Sequence, residues 1–268
     1  MKNILLICFA CFVFVSCRKE TTTLSNAAAA NVSEDASETS ISQAIPATYW
    51  NDVFTRYNKG QWTGGDVAYS HLLPDGRSFW LFGDSFVDSV YPDRHRKAGP
   101  FIHNSIVLTD AAGGFNTLYG GTVNNPKAFF DTTDPIEVWP NSAFINADQT
   151  KIYVMMVTIK ATGDGGLFGF ETVGNTVAEM SLPDLTVLRR FSFGNSEGRY
   201  DWSSATLEDG DYVYIYGAET TQSNKLMHVC RTLRSNPFAT VEFYDGSGWT
   251  TDESKSAKML QGISEQYS

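Results

Sequence analysis

The sequence predicts an all-β protein, a β-propeller built of four-stranded antiparallel blades, and three observations carry that prediction. Aromatic residues and glycines are frequent and no long helical period appears, which favours strands punctuated by turns. One hairpin pattern occurs three times, with turn centres near residues 75, 147 and 210, a period of roughly 60–70 residues. Each of these hairpins is followed by a second pair of strand-like runs. Four antiparallel strands per repeated unit is the signature of a propeller blade. A β-sandwich also turns every 8–12 residues or so, but gives no reason for a motif to return at a long fixed interval.

The units justify themselves in chain order. In GDVAYSHLLPDGRSFWLFGDSF, Gly65 to Phe86, two apolar-rich runs flank the turn Pro74-Asp75-Gly76. FIHNSIVLTD, a Gly113-Gly114 turn and FNTLYGG complete that unit. VWPNSAFINADQTKIYVMMV turns at Ala147-Asp148, and GNTVAEMSL and TVLRRFSFG follow around Pro183-Asp184. DWSSATLEDGDYVYIYG turns at Asp209-Gly210, and KLMHVCRTL and TVEFYDGSGW follow around Ser235-Asn236-Pro237. The terminal GISEQYS reads as the opening of a fourth copy.

Residues 1–17 are expected to lie outside the fold. A basic start, the apolar run Ile4 to Val15 and Val15-Ser16-Cys17 make a secretory signal too short to span a bilayer. The run resembles the bacterial lipobox, with Phe14 where leucine is usual, which implies lipidation of Cys17. Residues 18–48 read as a flexible tether, rich in Thr, Ser, Ala, Asn and Glu. Residues 49–268 then leave about 220 positions, enough for one sizeable core. WNDVFTRYN, Trp50 to Asn58, reads as a short helix or an irregular lead-in. Cys8 and Cys11 would leave with the signal, so Cys230 has no intramolecular disulfide partner and reads as a buried strand residue. A net charge of −10 argues against nucleic acid or an anionic membrane surface as partner. The expected location is the outer membrane or cell surface of a Gram-negative bacterium, with the membrane touched only through the lipid.

The string WTGGDVAYSHLLPDGRSFWLFGDSF, followed by His103-Asn104-Ser105, resembles the five-bladed, glycoside-hydrolase-like propellers of the arabinanase-like superfamily. Within that superfamily it is similar to lipoprotein and secreted domains of unknown function, one branch of which cleaves D-arabinan. WPNSA, YVYIYG and YDGSGW extend the likeness over about residues 60–268. Three blades and the start of a fourth are present where that family closes its ring with five, so the resemblance implies truncation at the C-terminus. It also implies a polysaccharide or oligosaccharide as partner.

Chemistry is expected at one rim of the first unit. Asp66 and Asp84 stand equally far from Asp75, so a symmetric hairpin sets them opposite each other, and His103 and Asn104 open the third strand at the same rim. Arg94 or His95 could reach in from the preceding loop. Two carboxylates this close cannot both ionise without cost, and one should be raised in pKa or held by Arg, His or a cation. Asp201, with Glu219 near its cross-strand position, Glu137 and Glu265 supply acids at matching places in the other units. Glycosidic cleavage needs a protonated and an ionised carboxyl about 5–9.5 Å apart. Asp66 matches the first-blade base of the resembled superfamily, and Asp201 or Glu265 would be the acid, with Asp84 beside the base. His103, Asn104, Arg94, Trp139 and Trp202 are the candidate sugar contacts, although tryptophans on inner strands also serve as core. Zinc spacing, the phosphate loop, the dinucleotide fingerprint and GxSxG are all absent from the sequence. No cofactor is expected; relatives of this architecture sometimes hold a cation in the channel, which leaves room for an oxygen-ligated calcium. Two functions follow: a surface-tethered glycoside hydrolase acting on an arabinan-like polysaccharide, or a non-catalytic glycan-binding lipoprotein on the same scaffold.

Overall fold

The computed structural model describes residues 46–96, 99–133, 135–163, 169–194, 198–219 and 225–262. Cys17, the signal stretch, most of the tether and Glu265 lie outside the described residues. The protein is all-β and mostly antiparallel. A single α-helix among the described residues, Thr48–Phe54, leads in.

Three sheets follow in chain order. The first runs Tyr69–Leu72, Ser78–Phe82, Ser105–Thr109, Phe115–Leu118, each strand hydrogen-bonded to the next. The second runs Ile136–Ile145, Lys151–Ala161, Phe170–Ser181, Val187–Phe193 in the same simple order. The third runs Tyr200–Asp209, Tyr212–Glu219, Leu226–Leu233, Val241–Tyr244, extended by Trp249–Thr250 and by Leu260–Gln261 beside Leu226–Leu233. The three turns fall where Asp75, Asp148 and Gly210 predict them, because local turn chemistry fixes them. Asp75 and Asp148 accept bonds from the amides of Arg77 and Thr150, two residues on.

Alternation along the strands explains how the sheets stack. In Lys151–Ala161, Ile152, Val154 and Met156 enter a core shared with Phe79, Leu81, Ile106 and Leu108 of the first sheet. Tyr153 and Met155, pointing the other way, enter a core with Tyr200, Trp202, Val213, Ile215 and Cys230 of the third. A strand buried on both faces must be apolar at every position, and this one nearly is. The opening strands of neighbouring sheets are also tied directly. The Tyr69 hydroxyl donates to the Ala143 carbonyl at 2.8 Å, and Ser142 donates to the Ser203 carbonyl at 2.8 Å.

Two elements go beyond the sequence reading. Gly120–Thr122 and Asn125–Lys127 form a small hairpin of their own. Trp62–Gly65, Ser85–Val87 and Phe101–Ile102 form a separate three-stranded sheet, and each is the continuation of a strand of the first sheet across a break. The breaks fall at residues 66–68, 83–84 and 103–104, side by side. Val67 and Ala68 have φ of 72° and 58°, left-handed values that turn the chain out of the strand. The hairpin predicted as continuous is therefore dislocated where its candidate acids stand.

Cys230 is fully buried, and burial first, then the charge of Glu253, pushes its thiol well above the ordinary range. A thiolate is the reactive form, so the native chain should leave Cys230 unmodified by iodoacetamide at pH 8 and release it to alkylation in guanidinium, as read by peptide mass spectrometry.

Candidate active site

Asp66, Asp84 and His103 each occupy one of the three adjacent breaks. The Asp66 amide donates to the Asp84 carbonyl at 3.2 Å and the Gly83 amide donates back to the Asp66 carbonyl at 3.2 Å, so the two acids are locked opposite each other. Gly83 has a physical reason: a Cβ there would meet Asp66 Oδ1 at 2.3 Å. The Asp66 side chain reaches solvent, yet crowding at the break removes part of its water. That burial, and then the Asp84 charge, raises its carboxyl above the ordinary range against the opposing pull of nearby backbone N–H groups. The expectation of one raised carboxyl in this pair is met in direction.

His103 extends the pair into a row. Its Nδ1 lies 3.2 Å from Asp84 Oδ1 and its Nε2 lies 2.9 Å from Glu137 Oε1. The two carboxylates thus sit one imidazole ring apart. An imidazole can donate to both only when both ring nitrogens carry hydrogen, so this geometry is suited to sharing a proton along the row. Glu137 comes from the opening strand of the second sheet, next to Val138 in the shared core, so the row spans two sheets. The sequence marks Glu137 as an acid at a matching place. Its pairing with His103 depends on how the sheets stack, which no local signal reports.

The other predicted residues are placed as follows. Asn104 is buried, and its amide group bonds only main chain: Oδ1 accepts from the Phe130 amide at 2.8 Å and Nδ2 donates to the Val138 carbonyl at 3.0 Å. It fixes the strand that presents Glu137. Trp139 is half-buried, edge-to-face with Phe170 at 4.8 Å between ring centroids, and Phe170 is itself exposed. Trp202 is fully enclosed and donates from Nε1 to Glu253 at 2.8 Å, the placement of a core residue. Arg94 is exposed in a loop, with a left-handed φ of 71°, and lines a cleft with Arg56 and Arg96. Asp201 is buried at the start of the third sheet and accepts from the amide and hydroxyl of Ser203, whose Oγ in turn accepts from Asn141 Nδ2 at 2.7 Å. The predicted cross-strand register is present: Tyr200 pairs with Glu219 and Asp201 with Ala218. Glu219 is buried and receives Arg199 Nε at 3.1 Å. Asp84 and His103 are therefore gathered with Glu137 beside Asp66, and Asp201 is linked through Ser203 to Asn141 of the second sheet's opening strand.

A family model for a domain of unknown function, DUF5005, matches residues 47–268. The chain belongs to the DUF5005 family. Among solved structures, this DUF5005 chain is similar to a Bacteroides ovatus ATCC 8483 protein provisionally described as a hydrolase. The two are 22% identical with a TM-score of 0.62, over 76% of this chain and 58% of that one. A GH43 endo-arabinanase from Bacillus licheniformis aligns at 11% identity and a TM-score of 0.41, over 78% of this chain and 62% of that one. The chain thus spans less than two thirds of either solved protein. The first likeness shows a shared fold. No curated protein matches.

Proposed function

We propose that this DUF5005 chain is a glycoside hydrolase on a propeller scaffold, acting on an arabinan-like polysaccharide from a lipid anchor at Cys17 on the outer membrane or cell surface. The observation that carries the reading is the row Asp84–His103–Glu137 formed beside Asp66 where the three strand breaks meet the second sheet's opening strand. Hydrolysis of a glycosidic bond needs one carboxyl that gives a proton to the leaving oxygen and one carboxylate that activates water or attacks the sugar. Asp66 takes the second role. The first is assigned to the Asp84–His103–Glu137 row, whose imidazole bridges carboxylates of two sheets. The neighbouring Bacteroides ovatus protein, provisionally described as a hydrolase, is consistent with this assignment. The arabinan class rests on the sequence resemblance.

A second reading keeps the glycan and drops the chemistry. It is favoured by the Trp139–Phe170 pair, an aromatic corner on the second sheet on which a sugar face could pack. One assay separates them. Reducing-end release is measured on a panel of arabinans and related glycans with the wild type, Asp66→Asn and Glu137→Gln. Release by the wild type that both substitutions abolish is the expected result. No release on any glycan, with polysaccharide still retained by the protein in affinity electrophoresis, would assign the chain to the binding class.

A further inference from the structure

The strand Trp62–Gly65, whose next residue is Asp66, also borders a cleft of about 430 Å³ at the C-terminal end of the lead-in helix. Arg56, Arg94 and Arg96 line it with Thr55, Tyr57 and Thr63, and among the described residues no carboxylate contributes to its wall. In a chain of net charge −10 that is unusual company. Arg77, Arg189, Arg199, Arg231 and Arg234 each pair with a carboxylate, whereas among the described residues none of the three cleft arginines does, nor does Arg190, which donates to the Asp131 carbonyl instead.

Two of the cleft arginines are instead held in place by neutral groups. The Arg56 guanidinium lies 3.9 Å from the Phe115 ring centroid, its Nε is buried without a hydrogen-bond partner, and its one side-chain bond is a long 3.5 Å to the Gly60 carbonyl. Arg96 stacks 4.2 Å over Phe86 and donates to the Thr63 carbonyl at 3.0 Å. Stacked guanidinium planes with unused N–H groups are pre-organised for a planar or tetrahedral oxyanion, which they bind through paired hydrogen bonds. The volume suits one sugar-sized ligand. Thr63 stands three residues before Asp66, roughly 10 Å along an extended strand, so a group held here lies within a short oligosaccharide's reach of the carboxylates.

We propose that this cleft is an oxyanion site that takes the acidic group of a sugar, a carboxylate or a sulfate ester. On the glycan reading above, on which this step rests while the anion site does not, the arabinan-like polymer recognised would carry acidic substituents within a few sugars of the bond that is cut. Burial lowers the Arg56 pKa, a cost that a bound anion would offset.

The test is isothermal titration calorimetry of the full chain with four probes: sodium sulfate, D-galacturonate, galactose 6-sulfate and D-galactose. Galacturonate or the sulfated sugar should bind, D-galactose should not, and Arg56→Met and Arg96→Met should each weaken binding at least tenfold. Arg94→Met, at an exposed position that does not support the fold, gives the same readout if either of the others fails to fold. Asp66→Asn should leave the affinity unchanged, so the site is scored separately from catalysis. Inorganic sulfate binding as tightly as both acidic sugars would overturn the sugar assignment. Absence of binding, or binding indifferent to all three arginine substitutions, would overturn the site itself.

Discussion

Asp66→Asn is expected to lower glycan hydrolysis by about 10²–10⁴-fold, the usual worth of a positioned proton-transfer group, while leaving the folded chain intact. The amide is nearly isosteric with the carboxyl and keeps the main-chain bonds to Gly83 and Asp84, so the break stays closed. The same substitution should raise the melting temperature slightly, by about 1–2 °C at pH 7, a modest figure because the group is partly solvated. The sign follows from the raised carboxyl. With its folded pKa above the unfolded one, ionised Asp66 disfavours the native state at neutral pH, and that penalty disappears as pH falls below the unfolded value. Wild type and Asp66→Asn should therefore differ in stability at pH 7 and converge near pH 3. Activity has its own pH signature. The base must be ionised, so the acid limb of the rate profile lies above that of an ordinary aspartate, and Asp84→Asn should move it to lower pH by deleting a charge that raises Asp66. An acid limb that stays in place in Asp84→Asn would remove Asp66 from the base role.

The second large effect is structural. Trp202→Ala should destabilise the protein by about 3–5 kcal/mol and lower its melting temperature by about 10 °C or more, followed by circular dichroism during urea and thermal unfolding. The indole is fully buried against Tyr200, Phe243 and Phe193, and Gly217 is required beneath it, since a Cβ there would meet the ring at 2.6 Å. Removing it also strips the buried Glu253 carboxylate of its Nε1–H donor. Trp139→Ala is the contrast, at about 1–2 kcal/mol, because its half-buried ring packs on Phe170 and its own N–H has no hydrogen-bond partner to orphan. Equal losses from both tryptophans would contradict the core assignment of Trp202. If the Trp139–Phe170 corner contacts sugar, Trp139→Ala should weaken glycan retention far more than it weakens the fold.

The sequence and the structure agree where the physics is local. Turns at Asp75, Asp148 and Gly210 are written in residues that favour turns, and strand alternation then follows outward from them. The opposition of Asp66 and Asp84 was legible for the same reason, since a hairpin's turn sets its register. The break at Val67 and Ala68 was not legible, because neither residue type advertises a left-handed backbone; the surrounding sheets impose it. The meeting of His103 with Glu137 was equally hidden. It joins positions 34 apart across two sheets, and only the stacking of those sheets brings them within hydrogen-bond reach. Trp202 could be read as either platform or core from its strand position, and the identity of the third sheet's neighbours decided it.

Because the His103 row takes one acid from the first sheet and one from the second, neither sheet alone contains the proposed acid machinery. On the proposed assignment, competence for hydrolysis would report docking. During synthesis the nascent chain would stay chemically silent until the Ile152, Val154 and Met156 face of Lys151–Ala161 has docked on the first sheet, and any perturbation that slides those two sheets by a residue would silence a chain that still looks fully β in the far ultraviolet.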